Sequence, residues 1–323
     1  MSRLRAAIVG LGQVGIRFDL EPDRFQSGEI WTHFSAYEKL ESYYELVAAV
    51  DPDRDKWGIA KKRKHDLACF PSIEDLLENA EIDVVSICTP DSLHFECLGQ
   101  TLDRVHGIFL EKPICGVSEI EHVHKVNQAL KKAGNAIRVN YYKRKEPAFI
   151  KALEYMNQET PLYVSAKYSG PFEAVGSHAV NLLIAMVPSM RLIKNYRFMN
   201  EEGDGYSTLF ESENGCLAEL IYCGPRYNLI FELDIIGRNR RVVLERNFSS
   251  LKLYGYRDSQ RYEHYKEMEL IEEMDVQSNT ERFVPFLLEL IEDIRANNPN
   301  YDNWEEAVKT QEVMCRIAKA SYD

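Results

Sequence analysis

Three glycines directly after the first apolar run restrict the fold of this chain more than any other feature. The motif Gly10-Leu11-Gly12-Gln13-Val14-Gly15 follows Ala6-Ala7-Ile8-Val9, which predicts a strand that ends in a glycine-rich turn. In this context the first glycine makes the tight turn, the second lets backbone amides approach a pyrophosphate, and the third lets a helix pack closely on the strand. We therefore predict a dinucleotide-binding loop, with cofactor contacts at Gly10, Gly12, Gln13, Val14 and Gly15.

An acidic residue, Asp51, ends the second apolar run. Its carboxylate can accept hydrogen bonds from the adenosine ribose of NAD, and its charge would repel the 2′-phosphate of NADP. Arg54 and Lys56 lie just beyond it and would weaken that preference. NAD is therefore the expected cofactor, and NADP is the alternative.

The spacing between the glycine motif and Asp51 is unusual. Asp51 follows Gly15 by 36 residues, whereas about 20 separate the two in most dinucleotide-binding folds. We attribute the excess to a loop inserted at residues 18–31 and followed by a helix. The alternative for Asp51 is a simple strand-end turn with Pro52.

Short apolar runs alternate with helical patterns in the first part of the chain, at residues 6–9, 46–50, 84–88, 107–110 and 136–139. Near-continuous apolar strands of this kind are typical of a parallel sheet covered on both faces. Ser72 with Asp75, and Ser118 with Glu121, predict two of the helix starts. We predict an N-terminal Rossmann domain, a doubly wound parallel sheet, over residues 1–138.

The pattern changes to apolar–polar alternation in the second half of the chain. Alternating runs occur at residues 162–168, 207–210, 217–222, 229–236 and 241–244, and helical patterns at 281–296 and 304–320. Alternation predicts strands with one face exposed. We predict an α+β domain over residues 139–323, with an open, mainly antiparallel sheet that serves substrate binding and oligomerisation.

Two polar turns follow the third and fourth predicted strands. Thr89-Pro90, with His94 close behind, ends one strand, and Glu111-Lys112-Pro113 ends the other. Carboxyl ends of parallel strands share the sheet edge at which open α/β folds bind ligands. We therefore expect cofactor contacts from Thr89, Pro90, His94, Glu111 and Lys112. Lys112 is either a surface lysine paired with Glu111 or a contact to the nicotinamide ribose or a substrate hydroxyl.

The order of these motifs resembles the glucose–fructose oxidoreductase / inositol dehydrogenase / MocA family. The resemblance rests on the glycine motif, Asp51, the two polar turns, the segment 139–147, and Gly176-Ser177-His178 with Asn181. It implies pyridine-nucleotide redox chemistry at a carbon–oxygen centre of a sugar, cyclitol or related polyol. It also implies that Lys112 and His178 are catalytic residues. The residues it implies for substrate binding are Tyr142, Arg144, Tyr168 and Asn181.

The chemistry suits these residue types, because oxidising an alcohol needs a base for the hydroxyl proton while hydride leaves to the nicotinamide. A histidine such as His178 suits the base, and Lys112 can polarise the oxygen or tune the base. For His178 the alternative is a histidine that only packs near a helix start. The inserted loop and Thr32-His33 resemble members associated with surface-polysaccharide or modified-sugar biosynthesis.

Two positions depart from the family pattern. Ala174 and Asn181 stand where many active members carry aspartate, and Glu173 is one place away. Tyr142, Lys143 or Tyr168 could substitute in a proton relay. The departures leave two other functions open: a non-catalytic NAD(P)-binding sensor or scaffold subunit, and a hydratase or glycosidase that uses the nicotinamide only transiently.

The composition excludes several classes of protein. With 39 Lys+Arg against 51 Asp+Glu, the net charge of −12 argues against a nucleic-acid partner, and the basic run 61–65 is interpreted as a solvated helix face. No apolar run is long enough to span a membrane, and no export signal is recognised. Seven cysteines without a C-x-x-C pair favour a reducing cytoplasm. We expect no metal, a small sugar-like substrate, and a homodimer or homotetramer.

Overall fold

The chain divides into two units whose boundary in sequence differs from the one expected. The computed structural model describes residues 2–21, 28–157, 159–201 and 203–320. One unit comprises residues 1–140 and 280–308, and the other comprises residues 141–279 and 309–323. The first crossing follows Asn140, close to the predicted 138/139 boundary, but the return of residues 280–308 to the first unit was not anticipated.

Short apolar strands build the sheet of the first unit. Their bounds are β1 Leu4–Val9, β2 Tyr44–Val50, β3 Ala68–Phe70, β4 Val84–Ile87, β5 Gly107–Leu110 and β6 Ala136–Val139. In the described residues they run in the order β3-β2-β1-β4-β5-β6, and all neighbours are parallel. The strand order reverses between β1 and β4, which is where such folds bind ligands. The predicted Rossmann sheet is confirmed.

In the described residues before residue 141, the α-helices of the first unit are α1 His33–Lys39, α2 Asp55–Arg63, α3 Ile73–Asn79, α4 His94–Thr101 and α5 Ile120–Ala133. Ser72 caps α3 as predicted, because its side chain accepts from the Asp75 nitrogen at 3.1 Å. The predicted Ser118 cap was wrong. Glu119 is the residue before α5, and its carboxylate accepts instead from the Gly116 nitrogen at 3.0 Å.

The insertion after the glycine motif interrupts a helix rather than replacing it. Ile16 donates its backbone N–H to the Gly12 carbonyl at 3.1 Å, which closes one helical turn. The His33 and Phe34 nitrogens then donate to the carbonyls of Val14 and Gly15. In an uninterrupted helix the residue bonded to Val14 would be residue 18. The insertion therefore adds 15 residues, and without it Asp51 would follow the motif by the ordinary distance of about 20.

A buried carboxylate attaches the start of the insertion to its end. The side chain of Asp19 accepts hydrogen bonds from Thr32, Ser35 and Arg63, the last at 2.6 Å. Arg63 thus belongs to this network, although the sequence placed it in a solvated basic run. Residues 22–27 of the insertion lie outside the described residues.

The second unit is built on a larger sheet. Its strands are β7 Tyr163–Tyr168, β8 Met190–Phe198, β9 Gly205–Ser212, β10 Leu217–Tyr222, β11 Phe231–Ile236, β12 Arg240–Glu245, β13 Ser250–Asp258 and β14 Lys266–Asp275. Over the described residues the order is β14-β13-β12-β11-β7-β10-β9-β8, with β7 and β10 parallel and the other neighbours antiparallel. Helices α6 Pro147–Met156 and α7 Ser177–Met186 accompany it. The predicted mainly antiparallel sheet is confirmed, with β8, β13 and β14 added.

Residues 280–308 return to the first unit, where their helix covers part of its sheet. Helix α8, Val284–Ala296, packs on β5 and β6 with an apolar face that includes Phe286, Leu290 and Ile291. A Cβ at Gly107 would lie 2.6 Å from the Ile294 side chain, so helix and strand are in close contact. Helix α9, Asp302–Lys319, follows. No helix in the described part of the chain is long and apolar enough to cross a membrane.

A buried arginine fixes α8 to the sheet. The Arg138 side chain, 5% exposed, contacts Glu289 at 3.1 Å and Asp293 at 2.9 Å and donates to the Asn300 carbonyl at 3.0 Å. Removing one member of a buried charged network leaves the other charges without compensation. We expect Arg138→Leu to lower the free energy of unfolding in urea by about 3 kcal/mol.

Arg295→Leu is the control, because Arg295 is an exposed arginine on α8, the helix that Arg138 contacts. Its effect should stay within about 0.5 kcal/mol. Equal unfolding midpoints for the two variants would contradict the role given to Arg138.

Candidate functional site

The three glycines of the first motif meet different neighbours. A Cβ at Gly10 would lie 2.8 Å from the Cys88 carbonyl, and φ there is +98°, which L side chains rarely adopt. A Cβ at Gly15 would lie 2.1 Å from the Gly10 oxygen. At Gly12 a Cβ would meet nothing within 4 Å. Two glycines are thus required by the fold, whereas Gly12 borders open space of the kind a phosphate needs.

Asp51 is held against the glycine loop. Its buried carboxylate, 3% exposed, accepts from the Leu11 nitrogen at 2.8 Å and from the Asp53 nitrogen at 3.0 Å. The ammonium of Lys56 lies 3.1 Å from both carboxylate oxygens. The negative charge that was expected to select NAD is therefore paired with a cation. Of the other loop residues, Gln13 is exposed and Val14 is half-buried.

The two polar turns lie side by side at the carboxyl edge of the first sheet. The ring nitrogens of His94 lie 2.8 Å from the Pro113 oxygen and 3.0 Å from the Thr89 oxygen, so one side chain joins both turns. Burial lowers the pKa of His94. His94 itself is buried, Thr89 and Lys112 are half-buried, and Pro90 is exposed.

Glu111 carries a buried charge immediately before Lys112. One carboxylate oxygen accepts from the Asn140 amide at 2.7 Å and lies 2.8 Å from Nε2 of His33. Burial acts to raise the pKa of Glu111, but the hydrogen bond and charge of His33 and the charge of Lys112 hold it below the ordinary value. Glu111 is therefore ionised at neutral pH.

His33 and Asn140 were not predicted as part of this site. In the sequence, His33 belongs to the Thr32-His33 pair that resembles members linked to polysaccharide or modified-sugar biosynthesis, and Asn140 belongs to the segment 139–147. Both positions follow from the topology. Asn140 comes directly after β6, the neighbour of the strand that leads to Glu111, and His33 resumes the helix that begins at the glycine loop.

In the second unit His178 lies at the start of α7, directly after a single π-helical turn, Phe172–Gly176. Such turns are rare and often occur at functional sites. The His178 side chain is 5% exposed, and its ring meets the rings of Tyr142 at 4.9 Å and Tyr141 at 5.7 Å, both edge-on. His178 and the predicted substrate residue Tyr142 are thus in contact.

The remaining predicted substrate residues have different surroundings. Tyr168 is buried, and its hydroxyl donates to the Tyr206 carbonyl at 3.1 Å and accepts from the Tyr206 nitrogen at 2.8 Å. Asn181 is also buried and donates to Thr310 at 3.0 Å. Arg144 is half-buried, with its guanidinium 5.7 Å from the Phe149 ring. The hydroxyl of Tyr168, a predicted substrate contact, is therefore engaged by the backbone of Tyr206.

Lys143, which the sequence offered for a proton relay, is engaged elsewhere. Its buried ammonium donates to Asn247 at 3.0 Å and lies 3.7 Å from Glu146. The rings of Phe231 and Phe248 lie about 5 Å from it. Asn247 belongs to a left-handed turn, Arg246–Phe248, in which all three residues have positive φ. Lys143 therefore stabilises this turn.

Metal ligands are not grouped in the described residues: no three His, Cys, Asp or Glu side chains there are placed to hold an ion. The seven cysteines, all within the described residues, form no disulfide bonds; five of them are buried, and Cys69 and Cys223 are half-buried. Burial accounts for them as small apolar side chains.

A protein-family model matches almost the whole N-terminal part of the first unit. The family model described as "Oxidoreductase family, NAD-binding Rossmann fold" (GFO_IDH_MocA) matches residues 4–141. UDP-N-acetylglucosamine 3-dehydrogenase of Acidithiobacillus ferrooxidans is 25% identical over 178 residues, 54% of this chain and 48% of that protein. An oxidoreductase of Formosa agariphila is 27% identical over 160 residues, 48% of this chain and 43% of that protein. The matched stretches thus span less than half of each relative.

Solved structures match the fold over nearly the whole chain. That of the Acidithiobacillus UDP-N-acetylglucosamine 3-dehydrogenase has a TM-score of 0.74 at 17% identity, covering 99% of this chain and 98% of the other. A 3-ketoreductase of Actinomadura kijaniata in complex with NADP scores 0.76 at 12% identity, covering 98% of each chain. The structure of a super-repressor mutant of Gal80p from Saccharomyces cerevisiae has a TM-score of 0.77 at 15% identity. It covers 99% of this chain and 96% of the other.

The surroundings of the glycines predict opposite results for two alanine variants. Gly12→Ala should leave the melting temperature within about 2 °C of the wild type, because its methyl group meets nothing, but should weaken NADH binding at least about tenfold. Gly15→Ala should lower the melting temperature strongly, because the Gly10 carbonyl occupies the space. Thermal unfolding and calorimetric titration measure the two effects.

Unchanged NADH affinity in a folded Gly12→Ala protein would contradict the phosphate-loop assignment. Gly58→Ala on α2 is the control for substitution at an open glycine, because its Cβ also meets nothing within 4 Å.

Proposed function

We propose that this chain, whose residues 4–141 match the model of an oxidoreductase family with an NAD-binding Rossmann fold, transfers a hydride between NAD or NADP and a carbon–oxygen centre of a sugar derivative. One observation carries the proposal: the glycine loop, Asp51, Thr89 and Lys112 all lie at the carboxyl edge of one parallel sheet. The strand order reverses at the same edge.

The residues at this edge fit a dinucleotide. Gly12 leaves room for a pyrophosphate, and Asp51 lies where an adenosine ribose is bound in such folds. When bound, the nicotinamide supplies the hydride acceptor or donor. Thr89 and Lys112 would border the ribose of the nicotinamide. His94 would hold the two turns that carry them together, through its contacts with the Thr89 and Pro113 oxygens.

Two side chains are assigned to the chemistry of the substrate. His178 would take the hydroxyl proton during oxidation and return it during reduction, and Lys112 would polarise the reacting oxygen. Tyr142 packs edge-on against His178 and would orient its ring. Arg144 and Asn181 remain candidates for substrate contact. Tyr168 is left out, because its hydroxyl is bonded to the Tyr206 backbone.

The substrate class is taken from the relatives. One of them is a UDP-N-acetylglucosamine 3-dehydrogenase, matched in sequence over about half of this chain and in fold over nearly all of it. We therefore propose a nucleotide-linked sugar, used in surface-polysaccharide or modified-sugar biosynthesis. Seven cysteines without a disulfide bond support a reducing cytoplasm.

Association of the chain into a homodimer or homotetramer is supported by apolar side chains exposed on an edge strand of the second unit. On β8 they include Ile193, Tyr196 and Phe198. Apolar groups at such a position favour contact with another protein surface.

A second candidate function is a non-catalytic NAD(P)-binding sensor or scaffold subunit. Ala174 and Asn181 favour it, because neither residue can supply the carboxylate that many family members carry there. A protein that binds NADH and leaves every nucleotide sugar in a broad panel unchanged would support this candidate.

The catalytic assignment predicts large losses of rate. With a nucleotide sugar such as UDP-N-acetylglucosamine and NAD or NADP, His178→Asn and Lys112→Met should each lower kcat by about 100-fold or more, because acid–base and polarising groups contribute on this scale. Production of reduced cofactor is followed by absorbance. His65→Asn, at an exposed histidine, is the control. Rates retained in both active-site variants would contradict these roles.

The pairing of Lys56 with Asp51 predicts a variant with altered cofactor preference. Lys56 neutralises the carboxylate that would repel a 2′-phosphate. Lys56→Gln should therefore weaken NADPH binding by about tenfold more than NADH binding, measured by calorimetric titration at fixed salt. Lys62→Gln, at an exposed lysine of the same helix, is the control. Equal changes in both affinities would show that Lys56 does not set the preference.

A further inference from the structure

His33 connects two parts of the first unit that the proposed function assigns to the cofactor. Its backbone nitrogen donates to the Val14 carbonyl of the glycine loop at 2.9 Å. Its ring nitrogen Nε2 lies 2.8 Å from the carboxylate of Glu111, the residue before Lys112. We propose that His33 is a positioning residue, which holds Glu111 and thereby fixes Lys112 relative to the glycine loop. This inference rests on the proposed function, because that function gives Lys112 its role.

The His33 ring is enclosed by aromatic side chains and directs its Nε2 to Glu111. The His33 side chain is fully buried, with the rings of Phe109 and Phe283 at 4.6 Å and 4.8 Å. A carboxylate only accepts hydrogen bonds, so Nε2 carries the proton. Within the described residues Nδ1 has no hydrogen-bond partner. The polar contact of the side chain is therefore directed to Glu111.

The carboxylate needs this donor because it is buried. An ionised group away from water is costly unless hydrogen bonds and opposite charges compensate it. Glu111 receives them from His33, Asn140 and Lys112. Among the described residues, Cys88 after β4 and His94 in α4 are two further titratable groups on which the charge of Glu111 acts. In the described residues, loss of His33 would leave the Asn140 amide, a long contact of 3.4 Å from the Lys112 backbone nitrogen, and the charge of the Lys112 ammonium.

Substitutions separate the hydrogen bond from the packing. His33→Leu fills a similar volume without a donor, and His33→Gln keeps an N–H near the position of Nε2. His106→Leu is the control, because His106 is exposed and lies before the opposite end of the strand that leads to Glu111. Glu111→Gln removes the charge that His33 is proposed to hold.

Thermal unfolding as a function of pH tests the charge pair. The depressed pKa of Glu111 means that this group stabilises the wild type at neutral pH and loses that effect as the pH falls through the acidic range. In His33→Leu the uncompensated carboxylate should destabilise the protein most at pH 7.5. Protonation should relieve part of the deficit, so the loss in Tm at pH 5 should be at most about half of that at pH 7.5.

A packing defect alone would give the same loss in Tm at both pH values, and that result would overturn the charge pair. In the Glu111→Gln background the His33→Leu loss should no longer depend on pH. His33→Gln should recover most of the stability at pH 7.5.

Titration with NADH tests the positioning role in the same proteins. His33→Leu should weaken NADH binding about tenfold, His33→Gln less than about threefold, and His106→Leu not at all. Equal affinity of the wild type and His33→Leu would overturn the role, whatever the pH series shows. Failure of the wild type itself to bind NADH and NADPH would contradict the proposed function, and the pH series would still decide whether His33 holds Glu111.

Discussion

The buried carboxylate of Glu111 is the interaction on which the cofactor edge of the first unit depends. Glu111 directly follows β5, and its carboxylate accepts hydrogen bonds from His33 at the start of α1 and from Asn140 directly after β6. The first donor, His33, is itself bonded to the glycine loop through its backbone. A charge at this depth is tolerated only while these partners remain in place. The Lys112 turn and the glycine loop are therefore fixed relative to each other by one buried acid.

The insertion shows how a fold can accept extra residues without losing a site. Helix α1 continues the helical turn that begins at Gly12. The inserted segment therefore starts and ends at neighbouring positions of a single helix. Asp19 and Arg63 tie those points together. Loop length costs little when the ends are already close. The long spacing to Asp51 is thus compatible with an ordinary dinucleotide loop.

Sequence patterns predicted the parts of the fold that are buried and continuous. Strands β1, β2, β4, β5 and β6 were expected because both faces of a parallel sheet must be apolar. Strand β3 has three residues, and β8 and β14 are largely exposed edge strands, so none of them carries such a pattern. The return of α8 to the first sheet is a long-range contact, and periodicity does not reveal its partner. For the same reason the role of His33 required the structure, whereas Lys112 was found from its motif.

The second unit indicates how a proton acceptor could work without the usual acids. Positions 174 and 181 hold alanine and asparagine, and the Asn181 amide donates to Thr310. A carboxylate beside a histidine favours the imidazolium and sets the ring orientation. Here the rings of Tyr141 and Tyr142 and the π-helical turn before α7 provide orientation without adding negative charge. In the proposed function His178 would still accept the proton, but alanine and asparagine at these two positions supply no carboxylate to offset the positive charge, and we therefore expect slow turnover rather than loss of the reaction.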